Sequence, residues 1–294
     1  MELNETKARL LDASLEEYAA ELRRAGEDDA AVMLAYTHSL HRFWRPALRM
    51  LPIRPASSLL DVGCGLGILA FEVAANLPVQ FESIDIEHRF IEHAKTLLDR
   101  LGAAGLFAEG AKIGFSVGDI GSLDFADESF DLVFVRELFQ FLPEPVHAAG
   151  ELFRVVRSGE YLCISDMDDQ LRITWPPSSP ALDRLVSAVA SIQHERGGDR
   201  HVGRKLTNYL RAAGFDINSL VVLPEAQHRT VDAGDAERAL IIEQLHAARA
   251  RVLETGAMDS DSFDSDLAKL EQEDPFEEFR MSARIVVLGQ RPRS

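Results

Sequence analysis

The sequence contains little cysteine and no long apolar run. Its two cysteines, Cys64 and Cys163, exclude a disulfide framework and a four-thiolate metal site, and we expect both thiols to be reduced. The longest apolar stretches, such as 66–71 and 285–288, are far shorter than the roughly 18 residues that a membrane-spanning helix needs. Acids and bases are scattered through 1–17, unlike the charge pattern of a secretory signal. These absences predict a cytoplasmic protein without a membrane partner.

Positive charge is also scarce. The chain has 31 Lys and Arg against 48 Asp and Glu, a net charge of -17 at pH 7. Such a field repels phosphate backbones, so we expect no nucleic-acid partner. Because 46% of the residues are hydrophobic, the chain can still bury a sizeable core. Its 294 residues fit one large domain with appendages, or two small domains.

Periodicity divides the chain into four segments. Residues 1–55 carry apolar positions at helical spacing, whereas 56–225 alternate short apolar runs with amphipathic ones. That alternation is typical of strand–helix–strand units, so we predict an α/β fold with a doubly wound sheet and helices on both faces. Residues 226–280 predict a helical insertion, and 281–294 a final strand with a tail. The apolar runs that predict strands are 58–62, 81–86, 113–117, 130–135, 160–165, 220–223 and 283–288.

A glycine-spaced turn follows the first predicted strand and precedes a helix. Its glycines are Gly63, Gly65 and Gly67, which do not match the dinucleotide fingerprint, and the Gly-Lys-Ser/Thr of a phosphate loop is absent. Glycines at this place allow a ligand to lie close to the main chain. The pattern favours a ligand held by something other than its phosphates, or else an ordinary strand-to-helix turn.

Two acids follow the next two predicted strands. Asp85 ends the second strand and Asp119 follows the third, so both belong to the edge where parallel strands present their carboxyl ends. A carboxylate at the first position can accept from ribose hydroxyls, and one at the second from an exocyclic amine on adenine. Together they indicate an adenosine, although either acid alone is also explained by a cap or a turn.

With these motifs the chain resembles the class I S-adenosylmethionine-dependent methyltransferases. The resemblance covers about 55–225 and the last strand, and is carried by the turn at 60–67, Asp85, Asp119 and the stretches 129–133 and 151–156. It implies a seven-stranded sheet of order 3-2-1-4-5-7-6 with the last strand antiparallel, and S-adenosylmethionine as cofactor with S-adenosylhomocysteine as product. It also implies that 1–55 form a lid and that 226–280 form a cap.

The resemblance further implies a cofactor site. The glycines would pass the methionine portion above Asp61, Asp85 would take the ribose, and Asp119 the adenine. The chain departs from the family at Ser158-Gly159-Glu160, where Pro-Gly-Gly is usual and Gly159 still supplies the turn, and at Phe141, where many relatives have His. The residues expected to bind the cofactor are Asp61, Gly63, Cys64, Gly65, Gly67, Asp85, Ile86, Asp119, Ile120 and Arg136.

Methyl transfer from a sulfonium mainly requires that the acceptor be aligned and water excluded, so little acid–base machinery is obligatory. The candidate catalytic residues are Asp166, Asp168 and Gln140, and the candidate substrate-binding residues are Tyr36, His38, Trp44, Glu137 and Phe141. A solvated turn would equally explain the two aspartates, and core packing would explain Trp44. The spacing of His88 and His93 does not place two ligands on one helix face, so we expect no metal.

The sequence therefore predicts a methyltransferase that acts on a small-molecule metabolite by in-line displacement. Two alternatives remain: a methyltransferase for a protein or peptide side chain, and a non-catalytic S-adenosylmethionine-binding partner subunit. The N-terminal helices either form a homodimer surface or fold onto the sheet of their own chain.

Overall fold

The structure is a computed structural model that describes residues 4–232 and 234–293. In this part of the chain a seven-stranded sheet has the order β3-β2-β1-β4-β5-β7-β6. The first five strands are parallel, and β7 runs antiparallel to both β5 and β6. The predicted fold and strand order are confirmed. The strands are β1 Ser58–Val62, β2 Gln80–Asp85, β3 Lys112–Val117, β4 Phe130–Arg136, β5 Val156–Trp175, β6 Asp216–Val231 and β7 Phe276–Gln290.

Within residues 4–232 and 234–293, two α-helices precede β1, and the others lie between strands along the chain. None in the described chain is both long and apolar enough to cross a membrane. They are α1 Glu5–Ala25, α2 Asp28–Trp44, α3 Ile68–Asn76, α4 His88–Ala103, α5 Pro145–Val155, α6 Pro180–Glu195, α7 Leu206–Ala213, α8 Ala236–Thr255 and α9 Ser260–Glu271.

The sheet is buried on both faces because neighbouring residues of its central strands enter opposite cores. Leu59 of β1 packs in a core with residues of α1 to α4, whereas Leu60 packs in a second core with residues of α5 and α7. Phe134 and Val133 of β4 divide in the same way. Continuous apolar runs are the expected sequence of strands covered on two sides.

The first helix folds onto its own chain. Asn4 caps α1 by accepting from the backbone N–H groups of Thr6 and Lys7, and Gly26 ends it with φ of 78°. The apolar face of α1, including Leu11 and Leu15, is buried in the first core. This face therefore packs against its own chain, and a homodimer surface on the N-terminal helices stays a prediction.

Strands β5, β6 and β7 extend much further than the apolar runs that predicted them. Beyond a register shift in β5, residues 172–175, 225–231 and 276–282 continue as an antiparallel ribbon, here called the arm. The arm's residues are largely polar and half exposed, so no apolar run in the sequence predicts these strands. The predicted helical insertion thus contains strand at both ends, with only α8 and α9 between; these two helices are here called the cap. The cap packs with α6 around a third core that includes Leu185, Leu245 and Phe263.

Candidate active site

The glycine turn joins β1 to α3 in a conformation that requires glycine. Gly63, Gly65 and Gly67 have positive φ values of 76°, 55° and 83°. A Cβ at Gly67 would lie 2.5 Å from the Phe115 ring, and one at Gly63 would lie 2.9 Å from Cδ2 of Leu138. A Cβ at Gly65 would meet no atom within 4 Å. Packing therefore contributes to the need for glycine at two positions, while Gly65 borders open space.

Asp85 ties this turn to the end of β2. Its Oδ2 accepts from the backbone N–H of Gly65 at 2.8 Å, and its Oδ1 accepts from that of Glu87 at 3.0 Å. Burial raises the pKa of Asp85, although these backbone hydrogen bonds oppose the shift. Each carboxylate oxygen can accept a second hydrogen bond, so the residue retains capacity for a ligand hydroxyl.

Asp61 and Arg136 lie beneath the turn as a charged pair whose hydrogen bonds are incomplete. Asp61 is buried, and its Oδ2 lies 4.0 Å from Nη2 of Arg136 without a hydrogen bond within the described residues. Nε of Arg136 is likewise buried and unpartnered there. Burial raises the pKa of Asp61 to about 6, against the attraction of Arg136. The guanidinium also lies 5.4 Å from the Trp44 ring centroid and 3.4 Å from Nδ1 of His41.

A cavity of about 550 Å³ extends from the glycine turn. It begins at Gly63, Gly65 and Asp85, passes α2 and the residues that follow β4, and reaches the arm. Leu182 of α6 and Ile241 of α8 contribute apolar surface on the opposite side. The carboxyl edge of the parallel strands and the cap therefore enclose one continuous space.

The predicted cofactor residues divide into two groups. Those that line the cavity are Gly63, Cys64, Gly65, Asp85 and Arg136. Of the others, Asp61 lies beneath the turn, Gly67 faces Phe115, and Ile120 packs in the second core. Ile86 is 66% exposed at the end of β2. Asp119 is exposed after β3, where its Oδ1 accepts from the backbone N–H of Gly121 at 2.8 Å.

Three predicted acceptor-side residues do not reach the cavity. His38 is buried, with Nε2 2.9 Å from Oδ1 of Asp12, and Trp44 donates its Nε1–H to Oγ of Ser165 at 3.2 Å. Asp166 is fully buried and accepts from the backbone N–H of Gln140 at 3.1 Å and from that of Met167 at 2.8 Å. The structure therefore does not bring these three side chains to the cavity, and their proposed roles stay predictions. The candidates that do line the cavity are Tyr36, Glu137, Gln140, Phe141 and Asp168.

Asp168 is held by an arginine. Its Oδ1 accepts from Nη2 of Arg204 at 2.6 Å and from the backbone N–H of Gln170 at 3.1 Å, and Nε of Arg204 donates to Oδ2. Burial by itself would raise the pKa of Asp168, but the hydrogen bonds from Arg204 outweigh it and lower that pKa. A carboxylate stabilised in its ionised form is a poor proton acceptor.

Glu137 carries a free carboxylate oxygen at the cavity. Its φ is 55°, and its Oε1 accepts from Nε of Arg284 at 2.9 Å, whereas Oε2 is buried and unpartnered within the described residues. Burial raises the pKa of Glu137 despite the attraction of Arg284. Burial and the charge of Glu137 together raise the pKa of Tyr36 to about 12, so its hydroxyl stays protonated at neutral pH.

Arg284 is a charged side chain at the cavity that sequence reasoning missed. It lies on β7, 147 residues beyond Glu137. An arginine beside the apolar run at 285–288 was the one available signal, and it does not identify its partner. A pairing across this sequence distance depends on the position of β7 in the sheet.

Taken with the strand order, the glycine turn after β1 and the acid ending β2 define the class I S-adenosylmethionine-dependent methyltransferase fold. A family model described as a methyltransferase domain matches residues 53–214, which is more than half of the chain. The chain belongs to this methyltransferase family.

Known relatives agree with that assignment. A sterol methyltransferase-like protein 2 of Botryococcus braunii is 28% identical over 148 residues, covering 50% of this chain and 35% of the relative. A 27-O-demethylrifamycin SV methyltransferase of Amycolatopsis mediterranei is 32% identical over 117 residues, covering 40% of this chain and 41% of the relative. The matches thus span less than half of either relative. The crystal structure of a putative methyltransferase from Bacillus halodurans shares the fold, with a TM-score of 0.55, 17% identity and coverage of 84% and 98%.

The residues around the turn fit S-adenosylmethionine. Gly65 leaves room beside the main chain, and Asp85 can accept further hydrogen bonds. The unpartnered oxygen of Asp61 suits an ammonium group, and the unpartnered Nε of Arg136 suits a carboxylate; the methionine end of this cofactor carries both. No group of three or more His, Cys, Asp and Glu side chains in the described chain is arranged to hold a metal ion.

Proposed function

We propose that this protein transfers a methyl group from S-adenosylmethionine to a small-molecule acceptor bound in the cavity. The cavity's volume of about 550 Å³, which the cofactor and the acceptor would share, supports this proposal, because small-molecule sites commonly enclose about 300–1,000 Å³. Its cover of α2, α6 and α8 favours a compact acceptor over a protein side chain, which would need an open approach. The names of the sterol and rifamycin relatives point the same way.

The bound cofactor would supply a methyl group already activated on sulfur. In this proposal Gly65 and Asp85 hold its nucleoside part, and Asp61 with Arg136 holds its amino-acid part. The hydrogen bond from Gly65 to Asp85 keeps the turn in one conformation, so the site is formed before the ligand arrives. Cover by α2 and α8 excludes water from the space beside the turn.

On the acceptor side, Glu137 is the residue best placed to receive a proton. Its Oε2 has no internal partner, and its raised pKa brings it nearer to neutral pH, where a general base is effective. Tyr36 serves as a hydrogen-bond donor. Gln140 is oriented by Asp166, which accepts from its backbone N–H, and by Gln193, whose Nε2 donates to its carbonyl at 2.7 Å.

Phe141 and Asp168 also line the cavity, but neither is assigned a proton-transfer role. The Phe141 side chain is 54% exposed beside the turn and offers an apolar surface. Asp168 fixes Arg204, and with it the segment before α7, to β5. We assign these two residues to acceptor packing and to support, respectively.

Calorimetric titration with S-adenosylhomocysteine tests the cofactor part of the proposal. We expect Asp85→Asn to weaken binding at least about tenfold, because it removes a charged acceptor that also fixes the turn. Asp99→Asn, at an exposed position on α4, is the matched control and should bind as the unaltered protein does. Equal affinity in all three proteins would refute the assigned cofactor site.

Acceptor class is tested with methyl-labelled S-adenosylmethionine and a fractionated cell extract. We expect label in the fraction below about 1 kDa, as the size of the cavity requires. Label confined to protein would favour the protein-side-chain alternative. Cofactor binding without any transfer would favour the non-catalytic partner subunit.

A further inference from the structure

The inner face of the arm forms the wall of the cavity that faces the cap. Arg172 of β5 and Glu225 of β6 both pair with Ser282 of β7, one from each side. Residues directly opposite each other in an antiparallel ladder project from the same face, so these three side chains form one row across the sheet. All three line the cavity. Arg280 and Arg284 line it two residues to either side of Ser282.

Arg172 is the cavity arginine without a partner in the described chain. Arg284 donates to Glu137, Arg200 to Asp169 with one bond of 3.0 Å, and Arg280 to Glu237. Arg136 contacts Trp44 and His41. Among residues 4–232 and 234–293 no hydrogen bond, ion pair or ring contact engages the guanidinium of Arg172, and the residue is solvent-exposed where it lines the cavity.

The unpaired charge of Arg172 is available to a ligand in the cavity. The charged neighbours of Arg172 include Arg280, which repels it, and Glu278, Asp169 and Glu237, which attract it without forming an ion pair. A guanidinium at the wall of a cavity that has no protein partner can pair with an anionic group of a ligand. In a protein with a net charge of -17, leaving a cation free at the wall of the cavity is notable because carboxylates are abundant.

The surroundings of Arg172 restrict the kind of anion that fits. A guanidinium presents a planar fork that matches a carboxylate or a phosphate. Within the described residues Glu225 accepts one hydrogen bond, from Nε2 of Gln227 at 3.2 Å, and has no cation partner, so it disfavours a second negative charge nearby. Leu182 and Ile241 line both the cavity and the small recess that adjoins it at Arg172. A single carboxylate on an apolar body satisfies all three conditions.

We propose that Arg172 binds a carboxylate group of the methyl acceptor, and that the acceptor is therefore an apolar carboxylic acid. This inference rests on the proposed function, because it assumes that the cavity holds the acceptor. The carboxylate is held on the arm, beyond the carboxyl ends of β1 and β4, so the opposite end of the acceptor is directed toward the glycine turn.

The test uses a matched pair of probes, 4-(trifluoromethyl)phenylacetate and its neutral primary amide. Both are titrated by fluorine NMR into protein saturated with S-adenosylhomocysteine. We expect the carboxylate to bind about tenfold more tightly than the amide, as one charge-assisted hydrogen-bonded pair allows. Arg172→Gln should remove that preference by weakening carboxylate binding alone, and Arg172→Lys should retain part of it.

Two controls separate this inference from the proposed function. Arg211→Gln, at an exposed position on α7, should keep the full preference. S-adenosylhomocysteine affinity, measured first, should be the same in the Arg172 variants; its absence in the unaltered protein would overturn the proposed function itself. With the cofactor product bound, the inference fails if neither probe binds, if both bind equally, or if Arg172→Gln keeps the preference. A matching phosphonate that binds more tightly than the carboxylate would overturn the choice of anion.

Discussion

At the scale of single residues, the site combines carboxylates that are held by hydrogen bonds with carboxylates that keep an unpartnered oxygen. Asp85 accepts two backbone hydrogen bonds, and Asp168 is neutralised by Arg204. Asp61 and Glu137, in contrast, each retain a buried oxygen without a partner in the described chain. Buried unsatisfied atoms cost stability, so a ligand that partners these two oxygens would be favoured.

Asp61 gives a prediction about stability and pH. Its folded pKa of about 6 is above the ordinary 3.8, so its favourable contribution is complete below pH 3.8 and is lost as the pH rises through 6. Asp61→Asn should therefore raise the free energy of unfolding by about 1–3 kcal/mol at pH 7 and by little at pH 4. Urea unfolding at several pH values measures this. Asp99→Asn is the exposed control, and a pH-independent effect of Asp61→Asn would contradict the argument.

At the scale of elements, a charged network fastens the N-terminal helices to the sheet layer. Arg45, which follows α2, donates to Oδ1 of Asp12 in α1 at 2.7 Å and to Oε2 of Glu72 in α3 at 2.9 Å. Nε2 of the fully buried His41 lies 3.4 Å from the same Glu72 oxygen. Burial lowers the pKa of His41 to about 4, so the imidazole is neutral at pH 7. The network thus joins three helices next to Arg136 of the proposed cofactor site.

Replacing Arg45 should weaken the attachment of the N-terminal helices to α3. Arg45→Met leaves Glu72 buried without its charged partner, and we expect the free energy of unfolding to fall by about 3–5 kcal/mol. Arg9→Gln breaks an ion pair with Glu5 whose side chains are more than four-fifths exposed, and should cost less than about 1 kcal/mol. Urea denaturation of both variants checks the contrast. Similar losses would mean that the network does not fasten the helices.

At the scale of the whole molecule, the cavity lies between two differently built parts. Its cofactor end belongs to the parallel sheet and the two large cores, whereas its opposite wall belongs to the arm and the cap. The cap packs mainly through the smaller third core with α6. Regions with fewer buried apolar contacts open more readily than the centre of a sheet, so the cap is the part expected to open for an acceptor.

A substitution at Phe263 tests whether the cap opens separately from the parallel sheet. It is fully buried in the third core, and Phe263→Ala should weaken that core by about 3–5 kcal/mol. Hydrogen exchange should then accelerate in α8 and α9 but change little in β1 to β4, and S-adenosylhomocysteine should still bind. Phe71→Ala, in the first core, is the matched comparison and should accelerate exchange across the sheet. Uniform acceleration in the Phe263 variant would mean that the cap and the sheet open as one unit.

The sequence by itself determined the parts that depend on near neighbours. The β1 turn, the following helix and the acids after β2 and β3 are encoded within short segments, because apolar periodicity and glycine spacing act locally. The sheet order followed from resemblance and is confirmed. The polar arm escaped prediction, because its half-exposed strands carry no continuous apolar run.

Only the tertiary structure decided which polar side chains face the cavity. His38, Trp44 and Asp166 turn inward to partners on distant segments, so the roles that their residue types suggested stay predictions without a contact to the cavity. Arg284 meets Glu137 and Arg172 faces the cap only because β7 inserts between β5 and β6. Such contacts join residues far apart in the chain. Local sequence does not predict them, because the environment of a side chain depends on which distant segments the fold places next to it.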